Sequence, residues 1–224
     1  MSKLMNRILI AAAIVVATSS AFAQLTEGFD DIGNLPGWNV VNLSTPVGLQ
    51  LNWFNGNPIV FPSHSGAPES YIAGNFNFIA GAGTINAWVM TPEITFQDGA
   101  MWSFWTRSPD LFSGFPDRLH FKMSTSGAST DPAAFTTTLV TINPGLGQGY
   151  PTSWTQYQGV ISGVGGSVQG RLGFHYDVPN AGPTGANGDY IGIDTFSYTP
   201  VPEPGTIAVL ALGLGALIAR RRKA

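Results

Sequence analysis

Two short segments decide the fold: RLHFKM at residues 118–123 and RLGFHYDV at residues 171–178. In both, apolar side chains alternate strictly with polar ones, a period of two that is typical of a β-strand with one buried face. Their apolar positions are Leu119, Phe121, Met123, Leu172, Phe174, Tyr176 and Val178. The opposite faces carry His120 and His175, which we expect at the surface because no metal-ligand spacing accompanies them.

Seven further segments between residues 24 and 200 are rich in β-branched and aromatic residues, and clusters of Gly, Pro, Asn, Asp and Ser separate them. They lie at 38–43, 71–78, 86–90, 101–106, 136–142, 154–161 and 190–198. About ten strands with connections of this length are typical of two packed sheets. The sequence therefore predicts an all-β domain over residues 24–200, a two-sheet jelly-roll β-sandwich.

The N-terminus has the features of a secretory signal peptide. Lys3 and Arg7 precede an apolar run at residues 8–17, and Ala21 and Ala23 supply the small side chains that a signal peptidase requires. Cleavage after Ala23 is expected to remove this segment, so the protein is predicted to be exported.

The C-terminus, residues 201–224, has three parts in a fixed order. The tripeptide Pro202-Glu203-Pro204 disfavours helix, an uncharged apolar run follows at residues 206–219, and Arg220, Arg221 and Arg222 precede Lys223. As a helix, the apolar run would be roughly 21 Å long, against about 30 Å for a bilayer core. We expect a short transmembrane helix with its cationic end in the cytoplasm. The alternative is a buried terminal helix, which four consecutive cations disfavour.

This tail resembles the PEP-CTERM sorting signal of Gram-negative, exopolysaccharide-producing bacteria. The resemblance implies that an exosortase-type transpeptidase recognises and cleaves it near Pro202-Glu203-Pro204. The protein would then be anchored transiently in the inner membrane and released to the cell surface or extracellular matrix.

A second resemblance covers nearly all of residues 24–200. Six groups of residues occur in order: Glu27-Gly28-Phe29-Asp30 with Leu35-Pro36-Gly37-Trp38, Trp53 with His64-Ser65-Gly66, Ala87-Trp88-Val89-Met90-Thr91-Pro92-Glu93-Ile94, Ser103-Phe104-Trp105, Asp117-Arg118-Leu119 with Ser124-Thr125-Ser126-Gly127, and Asp189-Tyr190-Ile191-Gly192-Ile193-Asp194. This order is similar to that of the choice-of-anchor J domain, which is related to cleaved-adhesin and MAM-type jelly rolls.

The mature region, residues 24–200, is acidic and free of cysteine. It holds four Lys or Arg residues against twelve Asp or Glu, a net charge of −8. Because such a surface repels phosphate backbones, nucleic acid is excluded as an expected partner. Without disulfides, core packing must supply the stability, alone or together with a bound metal.

Asp194 is the first candidate for a metal ligand. In the predicted strand 190–198 it shares a face with Tyr190, Phe196 and Tyr198, where an unpaired carboxylate is costly. Cations are scarce in this region, and calcium prefers oxygen ligands. The alternative is that Asp194 caps a turn or accepts hydrogen bonds from backbone N–H groups.

The second resemblance implies structural calcium between the first and last strands. It nominates Glu27 and Asp194 as ligands, with Asp30 and Asn86 as additions, although related domains often carry Asp at the position of Asn86. A chelator is then expected to lower the melting temperature of the domain.

Exposed aromatic residues are the candidates for ligand contact. Phe112 and Phe115 lie in the predicted loop 108–116, and Trp53 precedes a loop at residues 55–62. Such side chains bind flat apolar or sugar surfaces. For Trp53, core packing is the favoured alternative.

No motif or spacing nominates a catalytic pair or nucleophile. The sequence therefore predicts a surface-sorted, adhesin-like or carbohydrate-binding module of the exopolysaccharide or biofilm matrix, and not an enzyme. A polysaccharide-active hydrolase or lyase on the same fold, or a passive structural matrix protein, stays open as an alternative.

Overall fold

The structure, a computed structural model, describes residues 24–109, 114–147 and 149–201. Residues 24–200 form one compact unit. The predicted signal peptide with Ala21 and Ala23, the loop residue Phe112 and the sorting tail from Pro202 onward lie outside the described residues. In the described part, no helix has the length and apolar character needed to cross a membrane.

The described residues form twelve strands and two short 3₁₀ helices, at Phe76–Phe78 and Pro132–Ala134. The strands are β1 (Leu25–Glu27), β2 (Asn39–Asn42), β3 (Phe54–Asn55), β4 (Ile72–Asn75), β5 (Gly83–Met90), β6 (Ile94–Phe96), β7 (Met101–Arg107), β8 (Leu119–Ser124), β9 (Thr137–Ile142), β10 (Thr155–Val160), β11 (Val168–Ala181) and β12 (Tyr190–Thr199). All nine predicted strands are present. The sequence did not predict β1, β3 and β6, because two or three residues are too few to show a period of two.

The strands form two antiparallel sheets that pack as a sandwich, which confirms the predicted fold class. The first sheet has the order β10-β7-β12-β4-β3, and β1 also pairs with β12. The second has the order β2-β5-β11-β8-β9, and β6 also pairs with β11.

Aromatic side chains fill the space between the sheets. Phe104 of the first sheet lies with its ring centroid 4.9 Å from both Phe121 and Phe174 of the second. Phe196 contacts Phe174 at 5.9 Å. These rings meet edge-on or tilted, a geometry that adds to the large apolar area each ring buries.

A loop at residues 56–66 partly covers the outer face of the first sheet. Phe61 from this loop packs against Tyr71, Ala73 and Tyr190. Gly192 makes the contact possible, because a Cβ at that position would lie 2.9 Å from the Phe61 ring.

The outer face of the second sheet is covered in the same way at one end. Phe135 lies over Trp88 and Met90, and a Cβ on Gly173 would lie 2.8 Å from the Phe135 ring. Beyond these two covered areas, side chains on the outer face of the first sheet are exposed, among them Met101 and Val160.

Candidate binding site on the first sheet

A bulge in β12 carries Asp194 to the outer face of the first sheet. Thr195 has a φ of 50°, which is strained for a β-branched residue, and the pairing of β12 with β7 shifts between Asp194 and Ser197. Before the bulge, Tyr190 belongs to the outer cluster; after it, Phe196 packs between the sheets.

The prediction that Asp194 shares a face with Phe196 and Tyr198 is therefore wrong. The bulge inverts the alternation of side chains, since the extra residue turns the rest of the strand over. Asp194 is fully buried, but beneath the covering loop at residues 56–66 and not in the core.

The Asp194 carboxylate binds this loop to the bulge. Its Oδ2 accepts hydrogen bonds from the backbone N–H groups of His64 at 2.8 Å and Ser65 at 3.1 Å. Its Oδ1 accepts from the backbone N–H of Thr195 at 2.5 Å and from the Thr195 hydroxyl at 3.1 Å. Burial raises the pKa of Asp194 above its ordinary value, and the N–H donors offset part of that rise.

The bound loop places His64 over an outward-facing tryptophan. The His64 ring stacks on Trp105 of β7 with centroids 3.9 Å apart and an interplanar angle of 16°. Its Nδ1 lies 2.9 Å from the Thr195 hydroxyl oxygen. Trp105 is half-buried, so this pair ends the covered part of the face.

A pocket opens where the covering loop, the bulge and β1 meet. Its lining residues are Thr26, Glu27, Gly28, Asp30, Ser65, Gly66, Thr195, Phe196 and Ser197. Glu27 Oε1 accepts a hydrogen bond from the backbone N–H of Phe29 at 2.8 Å. In the described part of the chain, Glu27 Oε2 and the Asp30 carboxylate accept none, so three carboxylate oxygens have no protein donor.

The four predicted calcium ligands fit this pocket unequally. Glu27 and Asp30 line it with oxygens to spare, as calcium requires. Asp194 does not fit, because N–H and O–H donors already occupy both its oxygens. Within the described residues, no group of three acidic, His or Cys side chains is placed to hold a metal.

Asn86 is not part of this pocket, so its nomination is wrong. It lies in β5 of the second sheet, where its Oδ1 accepts from Trp88 Nε1 at 2.8 Å and lies 2.9 Å from His175 Nε2. The resemblance supplied the order of motifs along the chain, and that order does not say which sheet a strand joins.

Next to the pocket, the open part of the first sheet's outer face is uncharged. One row crosses four strands in register: Gln158 of β10, Ser103 of β7, Ser197 of β12 and Thr26 of β1. Beyond it lie Met101, which is 54 % exposed, and Val160, which is 57 % exposed. Amides and hydroxyls both donate and accept hydrogen bonds, so this row can do both toward a ligand.

The three aromatic residues predicted to contact a ligand differ in their exposure. Phe115 is 45 % exposed, and Phe112 lies outside the described residues. Trp53 is only 4 % exposed and packs edge-on against Phe78 with centroids 5.5 Å apart. Trp53 is therefore a core residue and is excluded as a sugar platform.

Sequence reasoning missed the polar row and the outward placement of Trp105. A usable signal was present, because TQYQGV at residues 155–160 alternates exposed and half-buried residues along β10. Segment 101–107 alternates in the same way, with Ser103 and Trp105 on its outward face. The contact of His64 with Trp105 has no such signal, since it depends on how the loop folds back.

The C-terminal residues match a known family. Residues 200–223 match the PEP-CTERM protein-sorting motif, which confirms the resemblance seen in the tail. This motif indicates export, sorting toward the cell surface through a membrane anchor, and processing by an exosortase. No curated protein sequence is significantly similar to this chain.

Solved structures share the fold of the sandwich. The K1 cleaved adhesin domain of Lys-gingipain from Porphyromonas gingivalis W83 is 18 % identical with a TM-score of 0.55, over 80 % of this chain and 99 % of that one. The K3 domain of the same protein is 16 % identical with a TM-score of 0.51 at the same coverage. At these identities the likeness shows a common fold, which agrees with the adhesin-like resemblance.

Proposed function

We propose that this protein, which carries a PEP-CTERM sorting motif on an adhesin-like sandwich, is a cell-surface module that binds the polysaccharide of its own matrix. The row Gln158, Ser103, Ser197 and Thr26 carries the proposal. It is an uncharged strip of hydrogen-bonding groups spanning four strands, bounded by Trp105 and by the pocket at Glu27.

The chemistry of this strip favours a sugar chain over a protein partner. A protein interface usually centres on fully buried aromatic or Arg anchors, whereas the polar row presents amides and hydroxyls, with Met101 and Val160 beside it. Such groups hydrogen-bond to hydroxyls directly or through water. A role in binding, with no catalytic step, is the proposal that these groups support.

The experiment is retention of the domain 24–200, which is a compact unit with its own core, on immobilised exopolysaccharide of the producing bacterium. We expect the wild type to be retarded on the column. The double variant Ser103→Ala, Gln158→Ala should elute earlier, with an affinity for the polysaccharide that is about tenfold lower. Thr137→Ala, an exposed residue of β9 on the other sheet, is the matched control and should behave as wild type. An unretarded wild type contradicts the proposal, and shortened sugar chains would instead favour the polysaccharide-active alternative.

Structural calcium at Glu27 and Asp30 forms part of the proposal. Both carboxylates line one pocket with oxygens that have no donor among the described residues, and a cation bound there would stabilise the folded domain. We expect a chelator to lower the melting temperature by a few degrees. The double variant Glu27→Gln, Asp30→Asn should show no chelator effect, and an unchanged wild-type melting temperature would count against calcium.

A further inference from the structure

The open part of the second sheet's outer face concentrates basic side chains. Three of the four Lys and Arg residues of the mature region, Arg118, Lys122 and Arg171, lie in or beside its strands, as do His120 and His175. Asp177 is the one acidic residue in the strands of this sheet. Asp117 and Glu93 lie beside these strands as well, but Asp117 is buried, so among the described residues basic side chains predominate on the outer face of this sheet.

We call the surface formed by Asn86, Arg118, His120, Lys122 and His175 the basic face. Register places His120 of β8 opposite His175 of β11, with ring centroids 5.8 Å apart. Both strands bury their alternate side chains in the core, so these groups point away from it. All five side chains are partly exposed.

The cations of the basic face differ in what they already bind. Arg118 is occupied, since it donates to the Asp177 carboxylate at 2.7 Å and to the Asp177 carbonyl at 2.9 Å. Lys122 Nζ lies 5.7 Å from the Trp88 ring centroid. In the described part of the chain, Lys122 makes no hydrogen bond or ion pair, and its ammonium is free to bind an anion.

Two neutral groups beside Lys122 also have hydrogen-bonding capacity to spare. Trp88 Nε1 can only donate, so the Asn86 oxygen that it contacts is an acceptor. His175 Nε2 contacts the same oxygen and must carry a proton. Burial lowers the pKa of His175 to about 3, so the ring is neutral and its Nδ1 is an acceptor. Neither this Nδ1 nor Asn86 Nδ2 has a partner among the described residues.

We propose that the basic face binds an acidic polysaccharide, with Lys122 pairing with a sugar carboxylate while Asn86 and His175 hydrogen-bond to sugar hydroxyls. The occupant follows from charge complementarity and from the mixed donor and acceptor set. A cation alone suits any polyanion, but an amide donor and an imidazole acceptor beside it suit hydroxyl groups. This surface lies on the opposite side of the sandwich from the polar row, so it is a second site. The proposal rests on the proposed function only in assuming that the natural ligand is a polysaccharide.

The test is titration of the domain 24–200 with polygalacturonate and with its methyl-esterified form, which has the same backbone without the charge. We expect the wild type to bind the acidic polymer, more weakly at higher salt. Lys122→Gln should lose about tenfold in affinity, and Lys122→Arg, which keeps the charge, should retain most of it. The proposal is overturned if Lys122→Gln binds like wild type, or if the esterified polymer binds as well as the acidic one.

Two controls separate this proposal from other outcomes. The variant Ser103→Ala, Gln158→Ala should bind polygalacturonate normally, so the basic face can succeed even where retention through the polar row fails. Sedimentation of wild type and Lys122→Gln tests for a second copy on this face. A wild-type dimer that the substitution dissociates would make the basic face a self-association surface and would contradict a glycan site.

Discussion

Replacing Asp117 by asparagine is expected to increase the stability of the domain relative to wild type, and to do so progressively as the pH rises from about 4 to about 7. Asp117 is 2 % exposed. Its Oδ1 accepts hydrogen bonds from the Tyr176 hydroxyl at 2.5 Å and from the Asp189 backbone N–H at 2.9 Å. Burial outweighs these donors and raises the pKa of Asp117 from 3.8 to about 7.

The direction of the effect follows from proton binding. Between pH 3.8 and about 7 the folded state keeps the proton on Asp117, whereas the unfolded chain releases it. The folded state therefore binds more protons, and the contribution of Asp117 to stability falls as the pH rises. Over the whole interval the loss is roughly 4 kcal/mol. Asparagine stays neutral over this pH range, so the Asp117→Asn variant does not lose this stability.

His175 has the opposite pH dependence, so the wild-type curve alone does not isolate Asp117. Burial lowers the pKa of His175 from 6.5 to about 3, and the unfolded chain binds the extra proton between these values. Stability from His175 is present above pH 6.5 and is lost as the pH falls toward 3. The two residues partly cancel between pH 4 and 6.5.

Urea unfolding at several pH values measures the effect as a difference between proteins. The free energy of unfolding of Asp117→Asn minus that of wild type should grow from pH 4 to pH 7 and then level off. Asp98→Asn, at an exposed carboxylate, is the control for the loss of a carboxylate that is not buried. A constant difference for Asp117→Asn would mean that Asp117 is ionised in the folded protein throughout.

Replacing Asp194 by alanine is expected to destabilise the domain by about 3–5 kcal/mol. The substitution removes the acceptor of four hydrogen bonds. It leaves the N–H groups of His64, Ser65 and Thr195 without a partner beside the strained bulge. The end of the loop at His64 and Ser65 then loses its attachment to the bulge, so the stack of His64 on Trp105 should also be lost.

Asp98→Ala is a matched control for this substitution. Asp98 also accepts hydrogen bonds from two backbone N–H groups, those of Val164 at 2.9 Å and Gly165 at 3.3 Å, but it is exposed and water can replace it. We expect a loss of about 1 kcal/mol or less. The indole N–H resonance of Trp105 in an NMR spectrum of folded Asp194→Ala should shift if the stack is lost. If Asp194→Ala is no less stable than Asp98→Ala, the carboxylate does not hold the loop.

Strict alternation made β8 and β11 predictable, and with them the core between the sheets and the outward placement of both histidines. The same rule failed in β12, because Thr195 adopts a positive φ that no pattern of residue types reveals. Asn86 was misplaced for a different reason, because the order of motifs along the chain does not say which sheet a strand joins. Glu27 and Asp30 came from a motif at the start of the domain, and the structure places them in one pocket.

The polar row and the basic face could be seen only after the sheets were assembled. Each of these surfaces combines side chains from strands far apart in the chain. In the polar row, for example, Thr26, Ser103 and Gln158 come from three different strands. Individually these are ordinary surface residues with no distinguishing neighbours. They lie side by side only because of the register in which the strands pair, and the pattern of a single sequence does not give that register.

The most direct measurement is an amide NMR titration of the domain 24–200 with oligosaccharides of the producer's exopolysaccharide. It resolves the side-chain amides of Gln156 and Gln158 and the indole N–H of Trp105. The expected result is saturable shifts at these groups and along β7, β10 and β12. Absence of shifts at a saturating sugar concentration, or shifts confined to residues away from both outer faces, would contradict the account of this domain as a polysaccharide-binding module.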